Sequence, residues 1–391
     1  MQAVAKIRWR QRRIPGLLGV QLFLVLAITL EAREPNSAVE RMSTPERLSQ
    51  PGWWPTKLLA SSKDFVGSEA CAKCHSGIAA SIKDTGMTKA LLKPDESKIL
   101  REKEGQSFQL ESYLYKLERT SHGYQFNVRR GPSAVTQPIT WAFGDGGISQ
   151  VYITDDHGAY FESHFSFYSG TEGFDRTTNQ PSRAESLQSA VGRSVMPGEI
   201  RKCFSCHAAA VTAKGDLNDV IPGVTCEACH GPGADHAAAM KAGIEGGEAL
   251  IMNPERLNRE ASVDFCGSCH MTWVDVQLGE LTGPPTIRFP AYRLENSQCW
   301  ASGDARIACV GCHDPHRPMA RDAAYYDKKC LSCHVSSIAD KPTQEHPGKA
   351  CPRAGNNCVS CHMPKREFAD THYSFTDHDI RIVREGEPIP E

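Results

Sequence analysis

The stretch CFSCHAAAVTAKGDLNDVIPGVTCEACH, residues 203–230, contains the pattern CxxCH twice. In each copy two cysteines stand three positions apart, and a histidine follows the second cysteine directly. Zinc ribbons also contain two close CxxC pairs, and the gap from Cys206 to Cys226 falls in the range of such sites. The stretch alone therefore leaves two interpretations open, and the number of copies elsewhere in the chain distinguishes them.

The pattern occurs seven times in the 391 residues and uses 14 of the 16 cysteines, leaving only Cys299 and Cys351 outside it. A zinc site does not require a histidine after every second cysteine, whereas CxxCH is the attachment signal of c-type haem. The sequence thus predicts seven covalently bound c-type haems. The predicted attachment cysteines are Cys71, Cys74, Cys203, Cys206, Cys226, Cys229, Cys266, Cys269, Cys309, Cys312, Cys330, Cys333, Cys358 and Cys361. The histidines predicted to bind iron are His75, His207, His230, His270, His313, His334 and His362.

The spacing has a mechanical reason. Residues three and four positions apart lie on one face of a helical turn. Both thiols can therefore form thioethers with one porphyrin edge while the imidazole reaches the iron. Each cofactor then needs only a short segment of chain.

The amino-terminal segment 1–32 has the pattern of an export signal, in which basic residues precede the apolar run IPGLLGVQLFLVLAITL at 14–30. The run has 17 residues, near the lower limit for a membrane span. The cleavage site is poor, because Leu30 stands where a small residue is preferred. A cleaved signal peptide and an uncleaved membrane anchor are both open, and no other segment is expected to contact a membrane. In both cases we expect an exported protein, periplasmic or extracellular.

The charges of the chain are nearly balanced, with 44 Lys and Arg against 46 Asp and Glu and a formal net charge of −2. Haem propionates add further negative charge. No basic face for nucleic acid is indicated. The expected partners are redox proteins or other cytochromes, which such a protein meets through local complementary patches.

The CxxCH motifs are unevenly distributed, and their distribution divides the chain into regions. Residues 33–62 are rich in Pro and Ser and are interpreted as a linker or arm. Residues 63–190 hold one motif, and 191–391 hold the other six. Between the first two motifs, residues 105–168 alternate apolar with polar residues, which predicts a small β-rich insert. Elsewhere, abundant Gly and Pro predict mainly short α-helices and loops wrapped around stacked haems.

The second axial ligand of each iron decides its chemistry: methionine raises the potential, and an open position permits catalysis. Eight histidines lie outside the motifs, enough for seven bis-histidine irons. His316 follows His313 by three residues on the same side of the chain, so it should bind a neighbouring haem. His236 follows His230 across a Gly-Pro-Gly turn, and the same argument applies. The other candidates are His346, His372, His378 and the competing pair His157 and His164.

With these residues in hand, the chain resembles the cytochrome c-552/c-554-type multihaem family. FVGSEACAKCHSGIAASIKDTGMTKAL (65–91) is similar to that family's first-haem segment, and GVTCEACHGPGADH (223–236), CVGCHDPH (309–316) and NCVSCHMPKREFADTHYSFTDHDI (357–380) are similar to later ones. In that family a histidine commonly occupies the place of Met87, so Met87 is a candidate axial ligand at the first haem. The resemblance implies closely stacked haems that act as an electron wire.

The sequence predicts an exported heptahaem electron-transfer protein with mostly bis-histidine irons. No proton-transfer pair or substrate cleft is detectable, which favours a carrier over an enzyme. Two alternatives stay open: an oxidoreductase acting on a small nitrogen or sulfur compound at one open haem, and a subunit of a polymeric extracellular cytochrome filament. The leftover Cys299 and Cys351 are expected to form a disulfide, because exported proteins commonly pair such thiols.

We expect the purified protein to weigh seven haem masses more than the bare processed chain, because the thioether bonds survive denaturation. Intact-mass spectrometry measures this directly. Extraction with acid acetone, which removes non-covalent haem, is the control and should leave the pigment on the protein. A mass equal to that of the bare chain would contradict the prediction.

Overall fold

The computed structural model describes residues 62–210, 220–384 and 386–390. The predicted export segment 1–32 and the predicted arm, up to residue 61, lie outside these ranges. None of the described helices is long and apolar enough to cross a bilayer. The described chain forms a strand region, residues 91–195, and a helical region that carries the second to seventh CxxCH segments.

The strand region contains ten strands in two antiparallel sheets. They are β1 (Leu91–Leu92), β2 (Ser107–Leu110), β3 (Tyr113–Thr120), β4 (Gly123–Arg130), β5 (Ser133–Pro138), β6 (Trp141–Phe143), β7 (Ser149–Asp156), β8 (Ala159–Tyr168), β9 (Gly173–Arg176) and β10 (Gly192–Val195). One sheet has the order β2-β3-β4-β5. The other has the order β1-β6-β7-β8-β10, with β9 also paired to β8. Two small hairpins lie further along, formed by β11 (Ala208–Ala210) with β12 (Ile221–Pro222) and β13 (Lys365–Phe368) with β14 (Tyr373–Thr376).

The two sheets enclose an aromatic core. Alternate residues of β3 and β4 are buried, among them Tyr115 and Phe126, because successive side chains of a strand point to opposite faces. The rings of Phe126 and Phe165 from the other sheet meet edge to face with centroids 4.3 Å apart. Phe108 stacks on Tyr115 at 4.9 Å. The strand region thus has an apolar interior made of its own side chains.

The prediction of a mainly helical protein is only partly right, because the chain is a mixed α/β protein with several sheets. Strands occupy the predicted insert 105–168 and continue beyond it, since β10 pairs with β8 through Gly192 opposite Ser163. The physical reason is the aromatic core. Tyr, Phe and Val in alternation bury one another across paired strands, so this segment folds as packed sheets.

The helices are short. They are α1 (Ser68–Ala72), α2 (Ser76–Ile82), α3 (Lys98–Glu102), α4 (Leu187–Val191), α5 (Pro197–His207), α6 (Cys226–His230), α7 (Ala234–Ala242), α8 (Arg259–His270), α9 (Trp273–Leu278), α10 (Pro290–Glu295), α11 (Gln298–Ala301), α12 (Cys309–Cys312), α13 (Ala323–Cys330) and α14 (Cys358–His362). Six 3₁₀ turns complete the described part, at Ser62–Asp64, Pro94–Glu96, Gly247–Leu250, Pro254–Arg256, Pro284–Arg288 and Ala369–Thr371.

A buried ion pair ties the carboxyl-terminal segment to the helical region. Arg293 of α10 is 1% exposed, and its guanidinium donates to both carboxylate oxygens of Asp377 at 2.9 and 3.0 Å. Arg381 donates to the same carboxylate at 2.8 Å. Arg293 also donates to the carbonyl oxygen of Pro390. A buried charge is tolerated only with such partners, so this group fixes the path of the chain after the last CxxCH segment.

We expect Asp377→Ala to lower the free energy of unfolding by about 3–5 kcal/mol, because it leaves the Arg293 charge buried without its main partner. Denaturant unfolding followed by circular dichroism measures the change. Glu102→Ala is the matched control, since it removes an exposed i,i+4 pair with Lys98 and should cost only about 0.3–0.5 kcal/mol. If both substitutions lower the free energy of unfolding equally, Asp377 is not the main partner that stabilises the buried Arg293.

Candidate haem-binding sites

Each CxxCH segment lies on a short helix or a single helical turn. The histidine amide donates to the carbonyl of the first cysteine at 2.8 Å in 71–75 and 309–313, and at 3.0 Å in 330–334. In 203–207 and 266–270 the segment forms the end of a longer helix, α5 or α8. This turn places two thiols and one imidazole on the same side of the backbone, as attachment of one porphyrin requires.

Four motif histidines are oriented by a backbone carbonyl. A carbonyl oxygen only accepts hydrogen bonds, so the Nδ1 atom beside it carries the proton and Nε2 keeps a lone pair for a metal. The partners lie far away in sequence, which anchors each ring to a different part of the fold. The Nδ1 contacts are His207 to Ala90 at 2.8 Å, His230 to Met252 at 2.8 Å, His334 to Lys349 at 2.8 Å and His362 to Arg381 at 2.9 Å.

Two histidines outside the motifs have the same orientation. Nδ1 of His236 lies 2.9 Å from the Gly247 carbonyl, and Nδ1 of His378 lies 3.0 Å from the Thr376 carbonyl. Burial lowers the pKa of His378 to about 4, with the neighbouring His313 acting in the same direction. Burial also lowers the pKa of His207, His230, His270 and His313. The lowered pKa keeps the five imidazoles of His207, His230, His270, His313 and His378 neutral at physiological pH, the form that binds a metal.

Two pairs of imidazole rings have centroid separations that match those of two ligands of one metal ion. The rings of His230 and His316 are almost parallel, at 7°, with centroids 6.1 Å apart. The rings of His313 and His378 have centroids 6.3 Å apart at 43°. An imidazole nitrogen binds a first-row metal at about 2 Å, so two imidazoles on opposite sides of one metal have centroids about 6 Å apart. Each pair joins a motif histidine to one from another part of the chain.

Four further histidines lie in or against the strand region. His164 is buried, and its Nε2 lies 3.3 Å from a carboxylate oxygen of Glu111. His157 is exposed at the β7–β8 turn, where its backbone φ is +52°. His122 is exposed at the β3–β4 turn. Nε2 of His372 lies 2.9 Å from Oδ2 of Asp175.

The remaining candidates, Met87 and His346, lie close to CxxCH segments. The Met87 carbonyl accepts the Val224 amide at 2.8 Å, just before the third segment. This close approach requires Gly223, whose φ is +77° and whose missing Cβ would collide with the Thr88 carbonyl. His346 lies two residues before Gly348, whose amide donates to the Cys333 carbonyl at 2.9 Å.

Neighbouring CxxCH segments contact one another. The thiols of their first cysteines lie close enough to influence each other in three pairs. Burial, with the nearby Cys226 and Glu227, raises the pKa of Cys71 to about 11, and burial, with Asp327 and Cys330, raises the pKa of Cys358 to about 12. The Cys206 thiol lies 3.6 Å from the Ser268 carbonyl, and β11, which follows His207, packs against α6. The α12 helix packs against α13. The three thiol pairs are Cys71 with Cys226, Cys266 with Cys309, and Cys330 with Cys358.

Two buried carboxylates, which the sequence interpretation did not single out, fix these contacts. Glu227, inside the third motif, is 2% exposed and accepts the amides of Val66 at 2.9 Å and Gly67 at 2.8 Å, just ahead of the first motif. Asp327 accepts the amides of Asn357 at 2.7 Å and Cys358 at 2.8 Å, so it joins the sixth motif to the seventh. Local sequence contains no signal for such partners, which lie up to 161 positions apart.

The disulfide expected between Cys299 and Cys351 is wrong for this structure, where all sixteen cysteines are free thiols. Cys299 is half-buried. Burial raises its pKa, and the nearby Cys312 and Cys333 thiols act in the same direction. Cys351 is exposed and accepts the Arg353 amide at 3.4 Å. None of the fourteen motif cysteines forms a disulfide, so the seven segments present seven sets of two thiols and one imidazole, as c-type haem requires.

Known proteins resemble parts of this chain. The model of the family Cytochrome c554 and c-prime matches residues 160–231, which include the second and third motifs. The multiheme cytochrome MtrA of Shewanella baltica (strain OS185) is 28% identical over 167 residues, 41% of this chain, and the match spans 39% of that relative's length. The crystal structure of the outer cell wall cytochrome OcwA is similar with a TM-score of 0.50 and 13% identity, over 82% of this chain and 80% of that one. The motifs and these comparisons define a multihaem c-type cytochrome that binds iron in c-type haem.

We expect Asp327→Asn to lower the free energy of unfolding at neutral pH by about 1–2 kcal/mol, because an amide cannot replace a carboxylate that accepts two buried amides. Burial alone would raise the pKa of Asp327, but the amides of Cys358 and Asn357 outweigh it and lower that pKa. Asp327 therefore stabilises the fold above the ordinary carboxyl pKa, and this contribution is lost as pH falls through the lower folded-state pKa.

We expect the free energy of unfolding of the Asp327→Asn variant to depend less on pH than that of the native protein. Unfolding measured between pH 3 and pH 7 tests this expectation. Asp340→Asn is the control, since Asp340 is exposed. If both variants unfold alike at every pH, Asp327 has no such role.

Proposed function

We propose that this chain is an exported heptahaem cytochrome of the c-554 type that transfers electrons along a continuous row of haems. The observation that carries the proposal is that each CxxCH segment contacts at least one other CxxCH segment. When bound, the haem irons supply the one-electron chemistry, and the protein supplies position, ligands and burial. All seven segments belong to one connected set in the described chain.

The contacts support one order for the row. The first segment meets the third through Cys71 and Cys226, and the third meets the second through β11 and α6. The second meets the fourth through Cys206, and the fourth meets the fifth through Cys266 and Cys309. The fifth segment, on α12, packs against α13, which ends at the sixth segment. In turn α13 packs against α14, which carries the seventh segment. The proposed order is therefore first, third, second, fourth, fifth, sixth and seventh.

The histidine pairs add a second connection. His316 follows the fifth segment but faces His230 of the third, so the chain that binds one haem also supplies a ligand for another. The pair His313 and His378 links the fifth segment to the carboxyl-terminal segment, which Arg293 holds. We infer that these two irons are bis-histidine and take part in low-potential transfer.

The proposed location and partners rest on the similar proteins and on charge. One similar structure is titled an outer cell wall cytochrome, and the matched relative is named a multiheme cytochrome. These names and the CxxCH segments favour a protein outside the cytoplasm that exchanges electrons with other cytochromes or redox proteins. A net charge near zero favours encounter through local patches of opposite sign.

We expect anaerobic titration of the purified protein to show uptake of seven electrons over a wide range of potential, because ligands and burial differ among the irons. Spectroelectrochemistry measures this, and the haemochrome assay counts the haems. In His378→Met one component should move to higher potential, since methionine ligation raises it. His122→Met, at an exposed turn, is the control. Uptake of fewer electrons than haems, or identical titrations of the two variants, would contradict the proposal.

A further inference from the structure

Two arginines near the carboxyl terminus have buried nitrogen atoms without a hydrogen-bond partner among the described residues. The atoms are Nε of Arg366 and both Nε and Nη2 of Arg381, three of the seven such side-chain atoms in the described part of the chain. A buried N–H group is costly unless it finds an acceptor, so native structures rarely leave one unpaired. The three atoms therefore indicate an acceptor that the polypeptide alone does not supply.

Both arginines lie beside the seventh CxxCH segment. The Arg381 amide donates to the His362 carbonyl at 3.3 Å, and the Arg381 carbonyl accepts from Nδ1 of His362 at 2.9 Å. Arg366 stands four residues after His362, on β13. Nη2 of Arg366 donates to the Glu387 carbonyl at 3.2 Å, and Nε of Arg381 lies 3.8 Å from the Glu387 carboxylate. The two guanidinium groups thus lie next to the same residue and belong to one site.

The carboxylates around this site are engaged elsewhere. Oε2 of Glu387 accepts the Arg384 amide at 2.8 Å, and Oε1 is too far from Nε of Arg381 for a hydrogen bond. The Asp377 carboxylate accepts two hydrogen bonds from Arg293 and one from Nη1 of Arg381. The three nitrogen atoms therefore lack a hydrogen-bonded carboxylate among the described residues.

The haem of the seventh segment brings acceptors of the right kind. A haem carries two propionate carboxylates, and arginine forms strong charge-assisted hydrogen bonds with carboxylates. A buried carboxylate in turn needs a positive partner. A buried water molecule is the competing acceptor, because it also accepts from an N–H group but carries no charge.

We propose that Arg366 and Arg381 bind the propionates of the haem attached at Cys358 and Cys361, through Nε of Arg366 and through Nε and Nη2 of Arg381. The three N–H groups then have charged acceptors, and the haem is fixed against β13 and the segment that follows β14. Two guanidinium charges beside one porphyrin favour the ferrous iron, since reduction removes one positive charge from the iron. The arginines thereby stabilise an electron at one end of the proposed row. This inference rests on the proposed heptahaem function.

Spectroelectrochemistry of the holoprotein tests the effect of the charges. In Arg366→Gln we expect one of the seven components to move to lower potential while the other six stay in place. Lys365→Gln is the matched control, because it removes the same charge from the adjacent exposed side chain, where solvent and salt screen it. Arg381→Gln should move the same component as Arg366→Gln, and the exposed Arg384→Gln should move none.

Resonance Raman spectroscopy identifies the group that Arg366 contacts, because the bending bands of haem propionates shift when their hydrogen bonds change. We expect a shifted propionate band in both Arg366→Gln and Arg366→Lys, since neither side chain carries the guanidinium Nε–H. Arg366→Lys keeps the charge, so its potentials should stay closer to those of the native protein. This variant also decides the question if Arg366→Gln fails to fold. An arginine that only packs against the hairpin would leave the propionate bands unchanged.

Several outcomes would overturn the inference. Unchanged propionate bands in both Arg366 variants would assign the N–H groups to buried water. Identical potentials of Arg366→Gln and Lys365→Gln would exclude a buried charge beside a haem. Replacing both Cys358 and Cys361 by Ala removes the seventh haem, and a shift caused by Arg366→Gln in that six-haem protein would point to a different haem. Fewer than seven covalent haems in the native protein, counted by the haemochrome assay, would contradict the proposed function instead, so the two failures are distinguishable.

Discussion

The structure depends on one constraint: two thiols and one imidazole must project from a single helical turn, and the imidazole must keep its Nε2 lone pair free. The first part is local and is met by the CxxCH spacing. The second part is not local. The Ala90 carbonyl that holds His207 lies 117 positions away, and the carbonyls for His230 and His362 lie 22 and 19 positions away. Orienting these imidazoles therefore depends on contacts between distant parts of the chain.

Placing these segments side by side creates a second requirement, because their amides must find acceptors where water is excluded. Glu227 and Asp327 meet it, each accepting amides at the start of another motif. A buried carboxylate is costly unless its oxygens are fully used, so these residues stabilise only one relative placement of the segments they join. The same contacts bring first-cysteine thiols together in pairs. The relative placement of these CxxCH segments is thus a result of hydrogen bonding between short stretches of chain.

Sequence patterns predict the parts of this molecule whose cause is local. The CxxCH spacing needs only five residues, and the period-2 alternation of residues 113–128 predicts β3 and β4. Strands such as β1 and β9 are too short to show any alternation, so the sheet extends further than the pattern does. The carboxylate partners of His164 and of the Val66 amide lie 53 and 161 positions away. No local pattern encodes such contacts, and the disulfide prediction fails for the same reason, since it rested on a count of thiols rather than on their neighbours.

The histidines illustrate why composition alone misleads about ligation. Eight imidazoles outside the motifs are sufficient for seven irons, but sufficiency in number says nothing about position. The strand region has its own aromatic core, and its polar contacts engage His164 with Glu111 and His372 with Asp175. These contacts exist for the packing of that region. The position of each imidazole, and not the number of imidazoles in the chain, therefore decides which of them can serve as a ligand.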